Sequence, residues 1–337
     1  MNMTINDDGT ILGILLFINN LLPFLLFILG CGILYFSSEF FIENSIAVSQ
    51  KLNISPVIIG ASVVAIGTSF PELLVSLYSI FTYDNPNDLE NLVSSSLVIG
   101  NILGSNMANI SLVLGFCAFL YKISFNLDII KDLLFITLLG LYLLFCIYFE
   151  LEINYLHGIL LLISFVIYFF HLIKTHSGVE NELDDISNSL KYSFFIIGIS
   201  MIGLSIGTNL IVDNALNISK IIGVSELNIG FSIVALGTSL PELFTSLSSI
   251  KRGKHSLLVG NVIGSNILNI IFVLGVSSLF TNLSIKFEML HGGYFIGIIF
   301  IATHIFLILN YIFYKSLSKI SGLILLVAYT YFIFKLF

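Results

Sequence analysis

Two glutamates lie inside apolar segments, each at the end of nearly the same eight residues. Glu72 ends the segment AIGTSFPE, and Glu242 ends the segment ALGTSLPE. A charge at the centre of a bilayer costs roughly 2.5–3.5 kcal/mol even on a lenient insertion scale. Two glutamates in the same eight-residue motif therefore indicate a functional site. The carboxylates and the neighbouring hydroxyls are all oxygen ligands, which suit hard cations such as Ca²⁺ or Na⁺. No histidine or cysteine joins them, which argues against zinc or copper.

A proline precedes each glutamate and removes one backbone hydrogen bond from its helix. Pro71 has no amide proton for the carbonyl of Gly67, and Pro241 leaves the carbonyl of Gly237 in the same state. Freed carbonyls at membrane depth are tolerated only where they face protein, water or an ion. The sequence therefore predicts that both interruptions present oxygen atoms to a cation.

A second repeated segment follows each copy, GNILGSNMAN at 100–109 and GNVIGSNILN at 260–269. Its serine and last asparagine are four residues apart and share one helix face, as do the threonine and glutamate of the first segment. Its glycine pairs allow helices to approach closely. A proline kink or a glycine pair is usually structural, whereas two duplicated buried glutamates are hard to explain by packing. The candidate oxygen ligands and packing glycines are Thr68, Ser69, Ser105 and Asn109, Thr238, Ser239, Ser265 and Asn269, and Gly104 and Gly264.

The elements that carry these segments are predicted to be membrane helices. Of the 337 residues, 57% are hydrophobic and only 10% are charged, whereas a soluble domain carries roughly 25% charged residues. Apolar segments of about 20 residues recur along the chain. We therefore predict an all-α polytopic membrane protein whose ten transmembrane helices lie at 20–50, 55–81, 95–120, 127–149, 153–173, 191–219, 225–250, 256–280, 289–313 and 319–336.

The internal similarity extends beyond the motifs. Residues 57–80 share 15 of 24 positions with 227–250, and residues 97–115 share 11 of 19 with 257–275. Five helices per half is an odd number, so the second half must enter the membrane from the opposite side, as in the inverted repeats of secondary transporters. We predict two inverted five-helix repeats, at residues 1–173 and 191–337. A polar cytoplasmic linker at residues 174–190 joins them.

The basic residues predict the orientation in the membrane. If the N-terminus is outside, ten of the 13 lysines and arginines fall on one side and three on the other. Cytoplasmic loops carry the excess of basic residues in membrane proteins. We therefore expect a multi-pass protein of the cell membrane with both termini outside.

The paired GTSFPE and GTSLPE motifs, each followed by GNxxGSNxxN, resemble the two alpha-repeats of the calcium/cation antiporter superfamily, specifically its sodium/calcium exchanger type. The resemblance covers essentially the whole chain and is closest to the prokaryotic-like ten-helix exchangers. It implies a secondary antiporter that exchanges Ca²⁺ for Na⁺ by alternating access at a midplane site, without a cofactor and without enzymatic activity. The implied Ca²⁺ ligands are Glu72 and Glu242 with main-chain oxygens of Thr68 and Thr238. The implied Na⁺ contacts are Ala65, Ser69, Ser105, Asn109, Ala235, Ser239, Ser265 and Asn269.

The residue at position 269 bears on the subtype. Several relatives, including potassium-dependent exchangers, have aspartate where this chain has Asn269, so the sequence favours the potassium-independent type. A proton/Ca²⁺ exchanger of the same fold is the main alternative, because a protonatable glutamate could serve either coupling ion. A passive channel and a membrane enzyme are disfavoured by the inverted repeat and by the lack of a nucleophile–base set. The expected partners are Ca²⁺, Na⁺ and the lipid bilayer, with no nucleic acid, and the chain is expected to function as a monomer.

Charged residues outside the motifs leave two interpretations open. Glu39, Glu43 and Asp213 could flank an ion pathway or could lie solvated near an interface. The basic cluster at 251–255 could bind anionic lipid or could anchor the cytoplasmic side.

Overall fold

The computed structural model describes residues 7–83, 88–125, 129–175, 189–222, 237–284 and 293–336, nearly all of them helical. Within these ranges, eight helices are long and apolar enough to cross a membrane. They coincide with eight of the ten predicted spans. Of the other two, the span at 225–250 lies partly outside the described residues, and the span at 319–336 is a helix. The eight are Asn20–Leu52, Pro56–Thr82, Ser94–Leu120, Ile129–Tyr148, Tyr155–Lys174, Leu190–Ala215, His255–Phe280 and Gly297–Tyr314.

The first half begins with one long helix and continues with helices that contain π-helical segments. At the start of the second helix, the Ser55 hydroxyl accepts the amide of Val57 at 3.4 Å, and Pro56 occupies the first turn, where its missing amide proton costs nothing. The elements are α1 (Asp7–Leu52), α2 (Pro56–Ile59), π1 (Gly60–Val64), α3 (Ala65–Thr68), α4 (Phe70–Tyr83), α5 (Asp88–Met107), π2 (Ala108–Leu114), α6 (Gly115–Leu120), α7 (Ile129–Tyr148) and α8 (Tyr155–Thr175).

The second half follows the same order of elements where it is described. A tight turn joins two of its helices, and Gly253 in that turn has a φ of 72°, which favours glycine. The elements are α9 (Leu190–Ile222), α10 (Leu240–Lys251), α11 (His255–Leu268), π3 (Asn269–Leu274), α12 (Gly275–Phe280), α13 (Gly293–Tyr314) and α14 (Lys319–Leu336).

Short backbone pairings connect the two halves at the ends of their helices. Strand β1 (Ile123–Ser124) pairs antiparallel with strand β2 (Ser316–Leu317). A single bridge joins Ile153 to Leu283. Such pairings provide hydrogen-bond partners for backbone N–H and C=O groups beyond the helix ends. These groups need partners wherever they are shielded from water.

Buried apolar side chains form two clusters in the described part of the chain. The larger cluster contains residues of α4–α8 and α10–α14. The smaller one lies mainly between α1 and α9, where Leu34 and Phe41 pack with Leu204. These two helices approach so closely that a Cβ on Gly207 would lie 2.9 Å from the amide nitrogen of Leu34. Helices α1 and α9 therefore form a closely packed pair, and the same cluster continues into α2, π1 and α11.

A group of ion pairs joins α1 to the end of α10. Arg252 lies 2.7 Å from Glu39 and 3.6 Å from Glu43, measured from Nη2 to the carboxylate oxygens. Lys251 donates to the Tyr35 hydroxyl at 3.2 Å. The two glutamates are thus engaged by basic residues of the 251–255 cluster, at the edge of the protein.

Candidate cation-binding site

Each GTS-x-PE motif contains a sharp interruption at its serine. Helix α3 ends at Thr68 and α4 begins at Phe70; Ser69 between them has φ −86° and ψ 5°. Ser239, which immediately precedes α10, has φ −92° and ψ 4°. The two copies therefore adopt the same backbone conformation.

The interruption places both glutamates at the beginning of a new helix. Glu72 lies in the first turn of α4 and Glu242 in the first turn of α10. Pro71 and Pro241 occupy that first turn too, where no intrahelical donor is missed. The unpaired amides of a helix N-terminus favour negative charge. The sequence predicted a proline kink here, and the structure locates the break at the serine of each motif, where a new helix begins. The order serine, proline, acid is typical of the start of a helix.

The companion helices change to π-helical geometry where their asparagines occur. Asn109 is the second residue of π2, and Asn269 is the first residue of π3. π-Helical turns inside α-helices are often found at functional sites, because the extra residue re-aims nearby groups. Sequence spacing, which assumes a regular helix, did not predict them.

Backbone contact brings the two halves together. A Cβ on Gly260 would lie 2.6 Å from the carbonyl oxygen of Val57, and one on Gly60 would lie 2.5 Å from that of Leu257. One on Gly264 would lie 2.5 Å from the Cα of Ala61. Helix α11 therefore crosses α2 and π1 in direct backbone contact, which only small residues permit.

Reciprocal hydroxyl pairs cross between the halves at this point. The Thr68 hydroxyl lies 3.3 Å from that of Ser265, and the Ser105 hydroxyl lies 3.2 Å from that of Thr238. Thr68 and Thr238 occupy the same position in the two motifs, as do Ser105 and Ser265. Each interruption thus faces the companion helix of the other half.

The two carboxylates are fully buried. Both Glu72 and Glu242 have 0% of their surface exposed. Within the described residues, neither Oε1 nor Oε2 of Glu72 has a hydrogen-bond partner, and Oε1 of Glu242 accepts from the Ser69 hydroxyl at 3.4 Å. Ser69 lies three residues before Glu72, so this bond crosses between the two motifs, and no described lysine, arginine or histidine forms an ion pair with either carboxylate. Buried charges of this kind are costly unless a counter-charge is present, which a bound cation supplies.

Further buried polar atoms without partners come from the residues that the sequence singled out. They include both amide atoms of Asn109, the Ser239 hydroxyl and Oδ1 of Asn269. Among the described residues, no group of three or more histidine, cysteine, aspartate or glutamate side chains could hold a metal. The donor set therefore consists of two carboxylates and neutral oxygens, which suits Ca²⁺ or Na⁺.

The remaining predicted residues support this arrangement or lie beyond it. The carbonyl of Ala65 accepts the amide of Ser69 at 2.9 Å and is buried on α3. Ala235 lies outside the described residues. Gly67 packs against Phe41 of α1, and Gly237 packs against α9. Gly104 is buried in α5. The interruptions thus also contact the α1–α9 pair.

Four asparagines of the companion segments were assigned no role from the sequence. Asn101 donates to the carbonyl of Glu72 at 3.0 Å, and Asn261 accepts from the Thr68 hydroxyl at 3.2 Å. Asn106 and Asn266 donate to each other's backbone carbonyls at 3.1 and 3.0 Å. These asparagines recur at the same positions of two apolar segments. This repetition could have indicated a structural role, because a buried amide requires hydrogen-bond partners.

A protein-family model described as "Sodium/calcium exchanger protein" matches residues 22–174 and again residues 192–337. The chain belongs to the sodium/calcium exchanger family. The resemblance inferred from the motifs is confirmed, and so is the prediction of a nearly all-helical, multi-pass membrane protein. Membership also establishes the broad class, a cation antiporter.

Relatives of this exchanger-family chain cover most of its length. It is 38% identical to the membrane protein MJ0091 of Methanocaldococcus jannaschii over 76% of the chain and 82% of that relative. It is 28% identical to the sodium/calcium exchanger MaX1 of Methanosarcina acetivorans over 93% of the chain and 98% of that protein. A solved structure of the sodium-calcium exchanger NCX_Mj, soaked with Na⁺ and Sr²⁺, is similar with a TM-score of 0.77 at 32% identity, covering 93% of this chain and 98% of that one.

Proposed function

We propose that this exchanger-family protein exchanges Ca²⁺ for Na⁺ at the site formed by Glu72, Glu242 and the surrounding oxygens. The observation that carries the proposal is the pair of fully buried carboxylates, three of whose four oxygens have no hydrogen-bond partner among the described residues. The proposed Ca²⁺ ligands are these carboxylates with Thr68 and Thr238. The proposed Na⁺ contacts are Ala65, Ser69, Ser105, Asn109, Ala235, Ser239, Ser265 and Asn269.

Charge balance explains why such a site exchanges ions instead of leaking them. Two carboxylates neutralise either one Ca²⁺ or two Na⁺, so the site has no net charge when it holds either ion. The empty site keeps two uncompensated charges in a low-dielectric environment, which is unfavourable. A loaded site can therefore change its exposure more easily than an empty one, and the two ions compete for shared ligands.

The proposed architecture is ten transmembrane helices in two inverted five-helix repeats at 1–173 and 191–337, with a polar cytoplasmic linker at 174–190. One family model matching the chain twice supports the repeat. The reciprocal Thr68–Ser265 and Ser105–Thr238 contacts support a two-fold relation. The basic residues support both termini outside. We further propose that the chain works as a monomer in the cell membrane, as a transporter and not as an enzyme.

Alternating access requires a part that moves relative to the site. The α1–α9 pair packs mainly through the smaller apolar cluster and contacts the interruptions at Gly67 and Gly237. Movement of this pair across the remaining helices exposes the site to one side or the other, as in other domain transitions of the shear type.

The candidate ligands favour Na⁺ as the coupling ion. Hydroxyl and amide oxygens around the carboxylates suit Na⁺, and the neutral Asn269 favours potassium independence. A proton/Ca²⁺ exchanger is the second candidate, because carboxylates without cationic partners can also be neutralised by protons.

The test is Ca²⁺ uptake into proteoliposomes under imposed Na⁺, K⁺ and H⁺ gradients, one at a time. The proposal expects uptake driven by Na⁺, with no requirement for K⁺. Uptake that follows a pH gradient without Na⁺ would establish the proton alternative.

Matched variants locate the site in the same assay. Glu72→Gln and Glu242→Gln remove one charge each and should abolish uptake. Glu152→Gln is the same substitution at an exposed position and should not affect uptake. Full activity in both buried variants would contradict the site.

A further inference from the structure

We propose that Asn106 is a positioning residue for the cation site. It turns the amide of Asn269 so that the oxygen of that amide, and not its nitrogen, faces the ion. The inference rests on the proposed function, since it concerns ligands of the same site. Asn106 itself does not touch the ion; it acts through Asn269.

The orientation of both amides follows from one backbone carbonyl. The carbonyl of Asn266 can only accept, so the Asn106 atom 3.1 Å from it must be Nδ2. The other atom of that amide, Oδ1, can only accept as well. Asn269 lies 3.0 Å from it and must therefore present Nδ2. Oδ1 of Asn269 then points away from Asn106, and no described residue is its hydrogen-bond partner.

Burial makes this orientation strict. Asn106, Asn266 and Asn269 are each 0% exposed, so water does not compensate a wrongly turned amide. Turning Asn269 over would set two oxygens against each other at Asn106 and would present an N–H group to a cation. A buried polar group left in such a state costs the full penalty of its desolvation. Asn269 is thereby preset as an oxygen ligand before any ion arrives.

The equivalent contact in the other half is missing, although the residues for it are present. Asn109 aligns with Asn269, and Asn266 aligns with Asn106. Both amide atoms of Asn109 and Oδ1 of Asn266 nevertheless have no hydrogen-bond partner within the part of the chain that the structure describes. The backbone contact is mutual, because Asn266 also donates to the carbonyl of Asn106 at 3.0 Å. Asn106 and Asn266 therefore both form a hydrogen bond between the helices. Only Asn106 also orients the amide of a candidate ligand, Asn269.

This distinction supplies the matched control. Asn106→Ala removes one interhelical hydrogen bond and the acceptor for Asn269, while Asn266→Ala removes one interhelical hydrogen bond alone. The assays are the apparent Ca²⁺ KM of Na⁺-driven uptake and the Ca²⁺-dependent thermal shift in detergent, which reports binding without transport. We expect Asn106→Ala to weaken Ca²⁺ about 10-fold and Asn266→Ala by less than about 3-fold, because misorienting one ligand is a loss of that order. Equal losses would overturn the inference.

A double-mutant cycle separates orientation from packing. Aspartate at 269 has two equivalent oxygens and needs no orienting partner. Asn106→Ala should therefore cost less than about 2-fold in an Asn269→Asp background, and a loss as large as in the native background would overturn the inference.

A second variant covers poor folding of the alanine protein. Asn106→Asp still accepts from Asn269 but cannot donate to Asn266, so Ca²⁺ binding should not weaken; weakening to the level expected of the alanine variant would also overturn the inference. If the native protein itself showed no Na⁺-driven Ca²⁺ uptake and no Ca²⁺-dependent thermal shift, the proposed function would fail. If the native protein is active and Asn106→Ala and Asn266→Ala weaken Ca²⁺ binding equally, only the proposed role of Asn106 fails.

Discussion

The two halves contribute the same residue types to the site, yet they hold them differently. Glu242 accepts from Ser69, and Asn269 donates to Asn106. The side chains of their counterparts Glu72 and Asn109 have no hydrogen-bond partner in the described part of the chain. In both contacts a residue of the first half holds a candidate ligand of the second half. Among the described residues, the reverse contacts from Ser239 to Glu72 and from Asn266 to Asn109 are not made.

The comparison shows that a sequence repeat duplicates ligands without duplicating their support. Among the described residues, Glu242 and Asn269 have a hydrogen-bond partner from the first half, whereas the side chains of Glu72 and Asn109 have none. If these residues bind the ion as proposed, we expect the second pair to be held more rigidly than the first and the site to accept ions of different charge and size. Rigid support lowers the cost of ordering ligands, and adjustable ligands allow more than one load.

The largest expected effect comes from the carboxylates themselves. Glu72→Gln and Glu242→Gln should each reduce Na⁺-driven Ca²⁺ uptake on the order of 100-fold, because ligand charge dominates Ca²⁺ affinity. In ion-free buffer, thermal unfolding should show Glu72→Gln to be more stabilised, since it removes a buried charge with no hydrogen bond. Equal stabilisation by both substitutions would argue that the two halves are supported alike.

Aspartate in place of each asparagine sharpens the comparison, because both substitutions add the same charge. Asn269→Asp sets a carboxylate oxygen against Oδ1 of Asn106 and loses a buried hydrogen bond, whereas Asn109→Asp loses none. The free energy of unfolding of ion-free protein should fall about 1–3 kcal/mol further for Asn269→Asp. Chemical denaturation followed by circular dichroism measures this difference, and an equal fall in both would contradict it.

A third test concerns a position at which the motifs differ. The Thr245 hydroxyl donates to the carbonyl of Pro241 at 2.7 Å and accepts from Asn261 at 3.2 Å, while the first half has Val75 there. Thr245→Val should lower the free energy of unfolding by about 1 kcal/mol. Val75→Thr is the reciprocal control, because no bond in the first half depends on that side chain. If Val75→Thr lowered the free energy of unfolding more than Thr245→Val, the first half and not the second would depend more on this position.

The smallest expected effect separates the two serines at the interruptions. Ser69→Ala removes the hydrogen bond to Glu242 and should destabilise the ion-free protein by about 0.5 kcal/mol. Ser239→Ala removes a hydroxyl without a partner and should leave ion-free stability unchanged. Both should weaken the stabilisation by Na⁺, measured as a thermal shift against NaCl concentration. Destabilisation by Ser239→Ala in the absence of Na⁺ would indicate an unseen contact.

The membrane helices were largely predictable from the sequence, and so was the burial of the two glutamates. Hydropathy located eight spans that the structure contains, and the duplicated motifs singled out Glu72 and Glu242, both of which are fully buried. Both signals are local and strong. An apolar run of about 20 residues has few alternatives, and a buried acid is rarely accidental.

The support of the ligands was not predictable in the same way. The π-helical segments break the spacing on which helix-face arguments depend. The contact between Asn106 and Asn269 joins positions 163 residues apart. Its direction depends on a backbone carbonyl that no motif reveals. Spacing places residues on a face, but the partner across an interface depends on packing.

The ion pairs between α1 and the end of α10 distinguish the two ends of the proposed exchange cycle. If the halves were exactly equivalent, a two-fold axis would relate the two proposed exposure states and give them equal energy. Arg252 lies 2.7 Å from Glu39 at one end, but Thr82 aligns with Arg252, and the segment 81–90 contains no lysine or arginine that could pair with Asp213. In the proposed cycle we therefore expect the state with the Arg252–Glu39 pair to be favoured, and raised ionic strength to reduce the difference.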